Sequence, residues 1–331
     1  MSKSLLAFEP DPIRAVRLDA RMRSRLAESL EHVIEQSRDV LEIDTTSLGR
    51  LIAQLKEGRR LPPSVFALYY DTVDALIEER LADAQRLLTE LGAQAPLRER
   101  LTVNALDPAI LGAATVERYC RMVDTDPLSR FVFVTPPLDA VRSFRETLDQ
   151  AMSLMERALP ELAQEFHALV CEVVLAAGQS ADGNSSFDGA SSFLLWGALF
   201  VNPIGEHTPV SLIETLAHES AHSLLFGLSI DEPLVLNPDS ERFKSPLRVD
   251  PRPMDGIYHA TFVVARMHFA MSQLLASGLL DSAGIEQANS ALERSRRAFS
   301  DGYKTVEEHG RLTKRGDGII AGARGYFEAF A

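Results

Sequence analysis

Cysteine is scarce in this sequence of 331 residues, which contains only Cys120 and Cys171. The two residues do not form a Cys-x-x-Cys pair, so a zinc cluster built from thiolates is excluded. A disulfide scaffold would also need more cysteines than this. We therefore expect two reduced, partly buried thiols, as is typical of a cytoplasmic protein.

Long apolar runs are lacking as well. No segment approaches the roughly 18 uninterrupted apolar residues that a membrane-spanning helix needs. The apolar run near the N-terminus is too short for the core of a signal peptide. The sequence thus predicts no membrane partner and a cytoplasmic location.

Positive charge is in deficit, since the formal net charge is −13. A nucleic-acid-binding surface needs clustered Lys and Arg, so we expect no nucleic-acid partner. The glycine patterns of dinucleotide and phosphate loops are absent too, which leaves nucleotide binding without support. With 46% hydrophobic and 24% charged residues, the composition is typical of a folded globular protein.

Helical periodicity dominates the first half of the chain, and strand-like segments appear only later. The fold class we predict is mainly α (α+β), with a helical N-terminal half followed by a helical metal-binding region that contains a small β-sheet. A soft boundary divides a helical region, residues 1–165, which is a candidate for peptide recognition, from a catalytic region, residues 166–331. Amphipathic helices are predicted over residues 11–40, 46–56, 62–91 and 138–159, and strands over residues 169–175 and 193–203, which flank a loop of small residues, 178–192.

The segment L-A-H-E-S-A-H-S-L-L, Leu216–Leu225, carries the most specific motif of the chain. Thr208-Pro209 is a good helix start, and Ser211 with Glu214 has the spacing of a capping box. On such a helix His218 and His222 differ by about 40° in direction and by one turn in height, so both imidazoles can reach one ion. Glu219 lies about 100° around the axis from His218. The pattern predicts a metal site, against the alternative of two ordinary hydrogen-bonded histidines.

A third ligand has to come from another part of the chain. The helix predicted over Met254–Leu275 carries His259 and His268, which are nine residues apart and therefore about 180° apart around the axis. Only one of them can face the ion, and we choose His259. Asp255, one turn before it, is suited to accept the second ring proton of His259 and fix its tautomer.

Between these two helices lies S-P-L-R-V-D-P-R-P, Ser245–Pro253, which its prolines hold extended and stiff. Arg248 and Arg252 supply two planar cations in this segment, and Arg266 adds a third on the following helix. A guanidinium binds both oxygens of a carboxylate at once, so these arginines are candidate carboxylate ligands beside the metal. The alternative is a rigid connector whose arginines form surface ion pairs.

Two chemistries fit a site of this kind. In a zinc peptidase the ion activates water and polarises the scissile carbonyl, and Glu219 takes the proton as general base. In an iron(II) oxygenase three protein ligands hold one face of the ion and leave positions open for a keto acid and dioxygen. The H-E-x-x-H pattern alone favours the peptidase. A non-catalytic binding or scaffold protein that keeps the motif as structure is the third hypothesis.

Three segments together carry a resemblance to a known family. They are H-E-S-A-H, the following S-P-L-R-V-D-P-R-P-M-D-G-I-Y-H and the preceding S-S-F-L-L-W-G-A-L-F-V-N-P. The chain resembles the α-ketoglutarate-dependent HExxH-type peptide β-hydroxylases, which are associated with the biosynthesis of ribosomally made, post-translationally modified peptides. The resemblance is dense from about Gly189 to Leu275.

The resemblance implies an Fe(II) centre held by His218, His222 and His259, with Asp255 as the reserve third ligand. It also implies α-ketoglutarate (2-oxoglutarate) and dioxygen as co-substrates and a precursor peptide as the partner. The far carboxylate of the keto acid would be bound by one of the three arginines named above. Glu219 would then serve to orient ligands. The sequence leaves open whether the chain forms a homodimer.

Overall fold

The computed structural model describes residues 6–123, 131–180, 187–247 and 250–329. Within these residues the fold is mainly helical with small sheets, as predicted. The helices are α1 Pro12–Ser37, α2 Thr45–Lys56, α3 Ser64–Ile77, α4 Leu81–Gly92, α5 Pro108–Leu111, α6 Ala113–Val123, α7 Leu138–Ala158, α8 Pro160–Leu169, α9 Pro209–Leu228, α10 Met254–Ala276, α11 Ser282–His309 and α12 Lys314–Glu328. The strands are β1 Thr102–Ala105, β2 Phe131–Val134, β3 Glu172–Leu175, β4 Ala177–Ser180, β5 Gly189–Ser191, β6 Ala198–Val201, β7 Arg242–Phe243 and β8 Arg252–Pro253.

The predicted helices α1, α2, α7, α9 and α10 are present with ends that differ by a few residues at most. The prediction of one helix over residues 62–91 is wrong, because α3 ends at Ile77 and α4 begins at Leu81. Glu79 between them has a φ of 57°, in the left-handed region that a right-handed helix cannot include. No glycine or proline lies at this break, so the periodic pattern continues through it.

The predicted strands exist but are shorter than the patterns indicate. The first begins only at Glu172, because α8 continues through Leu169. In the second, Phe193–Leu195 forms a 3₁₀ turn, and the strand is limited to Ala198–Val201. Both ends of the predicted loop of small residues belong to strands β4 and β5, and residues 181–186 lie outside the described part of the chain.

One compact unit comprises residues 16–144 and 167–205. Its main sheet has the strand order β1-β3-β6-β5, in which β3 pairs in parallel with β1 and β6, while β5 pairs antiparallel with β6. Strand β3 is buried along its whole length. At its start the buried Glu172 accepts hydrogen bonds from Tyr119 Oη, at 2.7 Å, and from Asn104 Nδ2, at 2.8 Å. Such pairing lets a carboxylate stay inside a core.

The other unit comprises residues 1–15, 145–166 and 206–331. Helix α10 is buried over most of its surface, and α9 and α11 pack against it. Helix α11 comes close enough at Gly302 that a Cβ there would overlap the side chain of Thr261 on α10. All described residues of the predicted metal site belong to this unit. The proposed functional division at residues 165 and 166 stays a prediction.

The two cysteines and the hydrophobicity of the helices are also subjects of prediction. Cys120 and Cys171 are free thiols, one half-buried and one buried, as predicted. Among the described residues, no helix has both the length and the apolar character needed to cross a membrane.

Candidate metal centre

Helix α9 holds the histidine motif, and its start is fixed locally. Thr208 is the N-cap: its hydroxyl accepts a hydrogen bond from Ser211 N at 3.1 Å, and Ser211 Oγ accepts one from Thr208 N at 2.9 Å. The capping box is therefore Thr208 with Ser211, and the predicted pair of Ser211 with Glu214 is wrong. Pro209 at the first helical position has no N–H to satisfy.

Most of α9 is buried, which makes its few half-exposed positions informative. After Pro209 at the helix start, they recur at one-turn spacing and form a single stripe along the helix: Ser211, Glu214, Thr215, His218, His222 and Phe226. The two motif histidines therefore face the accessible side of an otherwise buried helix. Glu219, next to His218, is buried and only 5% exposed.

His218, Glu219 and His222 form a group that could hold a metal ion, because one ligand atom from each lies within 4.8 Å of the others. The Nε2 atoms of His218 and His222 are 3.2 Å apart, and Glu219 Oε1 is 3.9 Å from His218 Nε2. Two nitrogens bound to one ion at about 2.1 Å are about 3.0 Å apart in octahedral and about 3.4 Å apart in tetrahedral geometry. The observed nitrogen separation fits both, so the imidazole pair suits an ion such as zinc or iron without selecting between them.

The electrostatics of His222 favour the neutral form that metal binding requires. Burial lowers the pKa of His222 well below its ordinary value of 6.5, and the neighbouring His218 and His259 lower it further. Proton competition at His222 is therefore weak at neutral pH. Burial also lowers the pKa of His259, against the opposite effect of the Asp255 carboxylate.

His259 contacts Nδ1 of His222, whereas His218 lies at Nε2 of the same ring. His259 Nδ1 is 3.0 Å from His222 Nδ1, and the two rings are nearly parallel, with centroids 5.3 Å apart. The ring of Phe226 lies 5.4 Å from that of His259. Binding one ion together with the Nε2 atoms of His218 and His222 would require a change in the His259 side chain. Its role as third ligand stays a prediction.

Met267 of α10 also belongs to this site. Met267 Sδ is 3.2 Å from His218 Nδ1, the nitrogen that does not face His222. Because His222 meets His259 while His218 meets Met267, α9 and α10 run antiparallel past each other here. A methionine in an apolar helix pattern is usually core filler, so the sequence carries no signal for this contact.

The predicted carboxylate-binding arginines occupy different environments. Arg266 is 1% exposed, pairs with Glu165 and donates to the carbonyl of Phe8 at 2.8 Å. Arg252 is partly buried in β8, two residues before α10, with its Nε 2.7 Å from the carboxylate of the exposed Asp250. Arg248 lies outside the described residues.

Asp255 and His268 complete the set of predicted neighbours. Asp255 is exposed in the first turn of α10, and its carboxylate partly opposes the lowering of the His259 pKa by burial. His268 faces elsewhere, with its Nδ1 2.8 Å from the hydroxyl of Tyr326 on α12.

Models of known protein families give no match to the chain, and a search of the curated proteins gives none either. The resemblance to the peptide β-hydroxylases therefore depends on its three segments alone. The structure adds a geometric argument for metal binding, since it brings the two histidines and the glutamate of the motif together.

Proposed function

We propose that this chain is an Fe(II)- and α-ketoglutarate-dependent oxygenase that hydroxylates the β-carbon of a residue in a ribosomally made peptide. The observation that carries the metal-dependent part is the convergence of His218 and His222 through their Nε2 atoms, with His259 in contact with Nδ1 of His222. The choice of reaction is supported by the family resemblance, in which the arginine-rich segment before α10 has no counterpart in ordinary zinc peptidases.

His218 and His222 would hold the ion, with His259 or Asp255 as the third ligand. Bound Fe(II), together with α-ketoglutarate and dioxygen, supplies the oxidising chemistry that a C–H bond requires, which no side chain can provide. The half-exposed stripe of α9 would face the substrate. Phe226 would then cover the His259 side with an apolar surface and limit the access of water.

Arg252 is the described arginine best suited to bind the far carboxylate of the keto acid. Arg266 is buried and its guanidinium is held by Glu165 and by the carbonyl of Phe8, whereas Arg252 pairs with the exposed Asp250, which a dicarboxylate can replace at moderate cost. The fork of a guanidinium also matches the two oxygens of a carboxylate.

A zinc metallopeptidase is the second candidate, and the position of Glu219 favours it. Its carboxylate oxygen is 3.9 Å from His218 Nε2, within the group that could hold the ion. A carboxylate at that position can take a proton from an activated water molecule.

Anaerobic titration of the purified protein with Fe(II) and α-ketoglutarate tests the proposal. The expected result is a weak visible charge-transfer band that requires both additions and is lost in His222→Ala. His32→Ala, at an exposed position of α1, is the matched control and should keep the band. Tight zinc binding with no response to α-ketoglutarate would overturn the oxygenase.

Glu219→Gln separates the two candidates. If Glu219 is a general base, peptide hydrolysis disappears in this variant. An oxygenase variant should still form the keto-acid complex and release succinate at a reduced rate, because no proton has to pass through Glu219. Complete loss of succinate release with intact Fe(II) binding would contradict this assignment.

A further inference from the structure

We propose that Met267 is a positioning residue, which fixes the tautomer of His218 by accepting a hydrogen bond from its Nδ1–H. The inference uses the metal role of His218 from the proposed function but not the identity of the reaction. What carries it is the contact of 3.2 Å between Met267 Sδ and His218 Nδ1, on the side of the ring away from His222.

The chemistry of the two groups decides the direction of this contact. A thioether sulfur has no hydrogen to donate, so it can only accept. A neutral imidazole carries one N–H and one lone pair. If Nδ1 of His218 held the lone pair, it would face the lone pairs of the sulfur at close range. His218 Nδ1 therefore carries the proton, and His218 Nε2 carries the lone pair that a metal needs.

The same rule extends to the other two histidines of the metal-free protein. With a lone pair on His218 Nε2, the proton between it and His222 Nε2, 3.2 Å away, belongs to His222. His222 Nδ1 is then an acceptor, and the proton of the next contact, at 3.0 Å, belongs to His259 Nδ1. All three contacts run in one direction, from His259 through His222 and His218 to the sulfur.

This order has a consequence for metal binding. His218 already presents its Nε2 lone pair toward His222, whereas His222 must exchange its Nε2 proton for one on Nδ1 before both Nε2 atoms can bind one ion. His259 must then carry its proton on Nε2, so that its Nδ1 accepts from His222 Nδ1–H across the same contact. In water an imidazole side chain prefers the proton on Nε2, the opposite of what this site requires of His218. Met267 thus prepares His218 for the ion, in the role that a carboxylate or a backbone carbonyl usually has at metal sites.

The chain offers a matched pair of substitutions for the test. Met267→Leu keeps the apolar volume but removes the acceptor. Met271→Leu makes the same change one turn further along α10, at a residue that is fully buried. Volume-conserving exchanges of this kind usually cost less than about 1.5 kcal/mol, so both variants should fold.

The first measurement is ¹⁵N NMR of the histidine side chains in the metal-free protein, at a pH where the rings are neutral. The signals of His218 are identified by their loss in His218→Asn. We expect the Nδ1–H tautomer in the wild type and in Met271→Leu, and a shift toward Nε2–H in Met267→Leu. A wild-type His218 with its proton on Nε2 would overturn the proposal, as would identical tautomers in the two leucine variants.

The second measurement is Co(II) affinity, determined by competition with a chelator. Loss of a hydrogen-bond partner behind a metal-binding histidine typically weakens binding by about 10–100-fold. Because a thioether is a weak acceptor, we expect about a tenfold loss for Met267→Leu and none for Met271→Leu. Equal losses in both variants would mean that packing, and not the sulfur, is responsible. Neither measurement uses α-ketoglutarate or a peptide, so a failed hydroxylase proposal leaves this test intact.

Discussion

Replacing Glu165 by glutamine should strongly destabilise the unit that carries the metal site. Glu165 is 2% exposed and holds two arginines that are also buried. Its Oε2 accepts hydrogen bonds from Arg14 Nη2 and from the backbone N of Asp11, both at 2.9 Å, and its Oε1 pairs with Arg266. Glu165 thereby connects the N-terminal segment to α10, where Arg266 also donates to Phe8 O.

The size of the destabilisation follows from the interactions that glutamine cannot make. A hydrogen bond to a charged group contributes about 1.5–3 kcal/mol, and removing one partner of a buried ion pair costs about 3–5 kcal/mol. Glutamine keeps one acceptor oxygen, but its NH₂ group must face a guanidinium or an amide N–H. The two guanidiniums lose the negative charge between them. We expect the free energy of unfolding to fall by about 3–5 kcal/mol, a large part of the 5–15 kcal/mol that is typical of folded proteins.

Urea unfolding followed by circular dichroism measures this change. Glu308→Gln, in the same unit, is the control. Glu308 is exposed, and its i,i+4 ion pair with Lys304 is long, at 3.9 Å, and therefore weak. Its effect should stay within about 0.5 kcal/mol. An effect of Glu165→Gln no larger than that of Glu308→Gln would refute the reasoning, since a buried carboxylate between two cations cannot be lost without cost.

Two further predictions concern the co-substrate and pH. Arg252→Met should weaken α-ketoglutarate binding at least tenfold while Fe(II) affinity stays unchanged, because only the carboxylate contact is removed; an unchanged keto-acid titration would exclude Arg252 as the clamp. The pKa of His268 is lowered from 6.5 to about 4, mainly by burial and to a smaller extent by the positive charge of Arg296 on α11. Between pH 6.5 and 4, His268 is therefore protonated in the unfolded chain but stays neutral in the folded protein. The free energy of unfolding should therefore fall as the pH drops from 6.5 toward 4. Urea unfolding at pH 7.5 and at pH 5 measures this loss, which should be smaller in His268→Gln than in the wild type. An equal loss in both proteins would contradict the assignment.

The helices that carry the site could be predicted from local signals. Thr208-Pro209 marks the start of α9, and the apolar periodicity of both helices gives their lengths to within a few residues. The spacing of His218 and His222 alone places two imidazoles on one side of α9. These features depend on residues within a few turns of each other, which is the range over which sequence patterns determine structure.

The contacts between helices could not be predicted in the same way. Periodicity gives the direction of a side chain around its own helix axis, but not which neighbouring helix lies in that direction at a given height. Met267 belongs to the apolar side of α10 by its spacing, and only the crossing with α9 brings its sulfur to His218. Glu79 shows the same limit at short range, because nothing in its local composition indicates a left-handed residue.

Arg266 shows how this limit affects the assignment of function. It is seven residues after His259 on α10, almost the same direction around the axis, so a position beside the ion is a natural expectation. Two turns along a helix are about 10 Å, however, and at that height a different element can face the same side. Here that element carries Glu165, 101 residues away in sequence, whose carboxylate takes the guanidinium. A charged residue on the same helix face as metal ligands can therefore either form a buried ion pair or bind a substrate. Its own helix does not distinguish the two roles, because they depend on a partner that is distant in sequence.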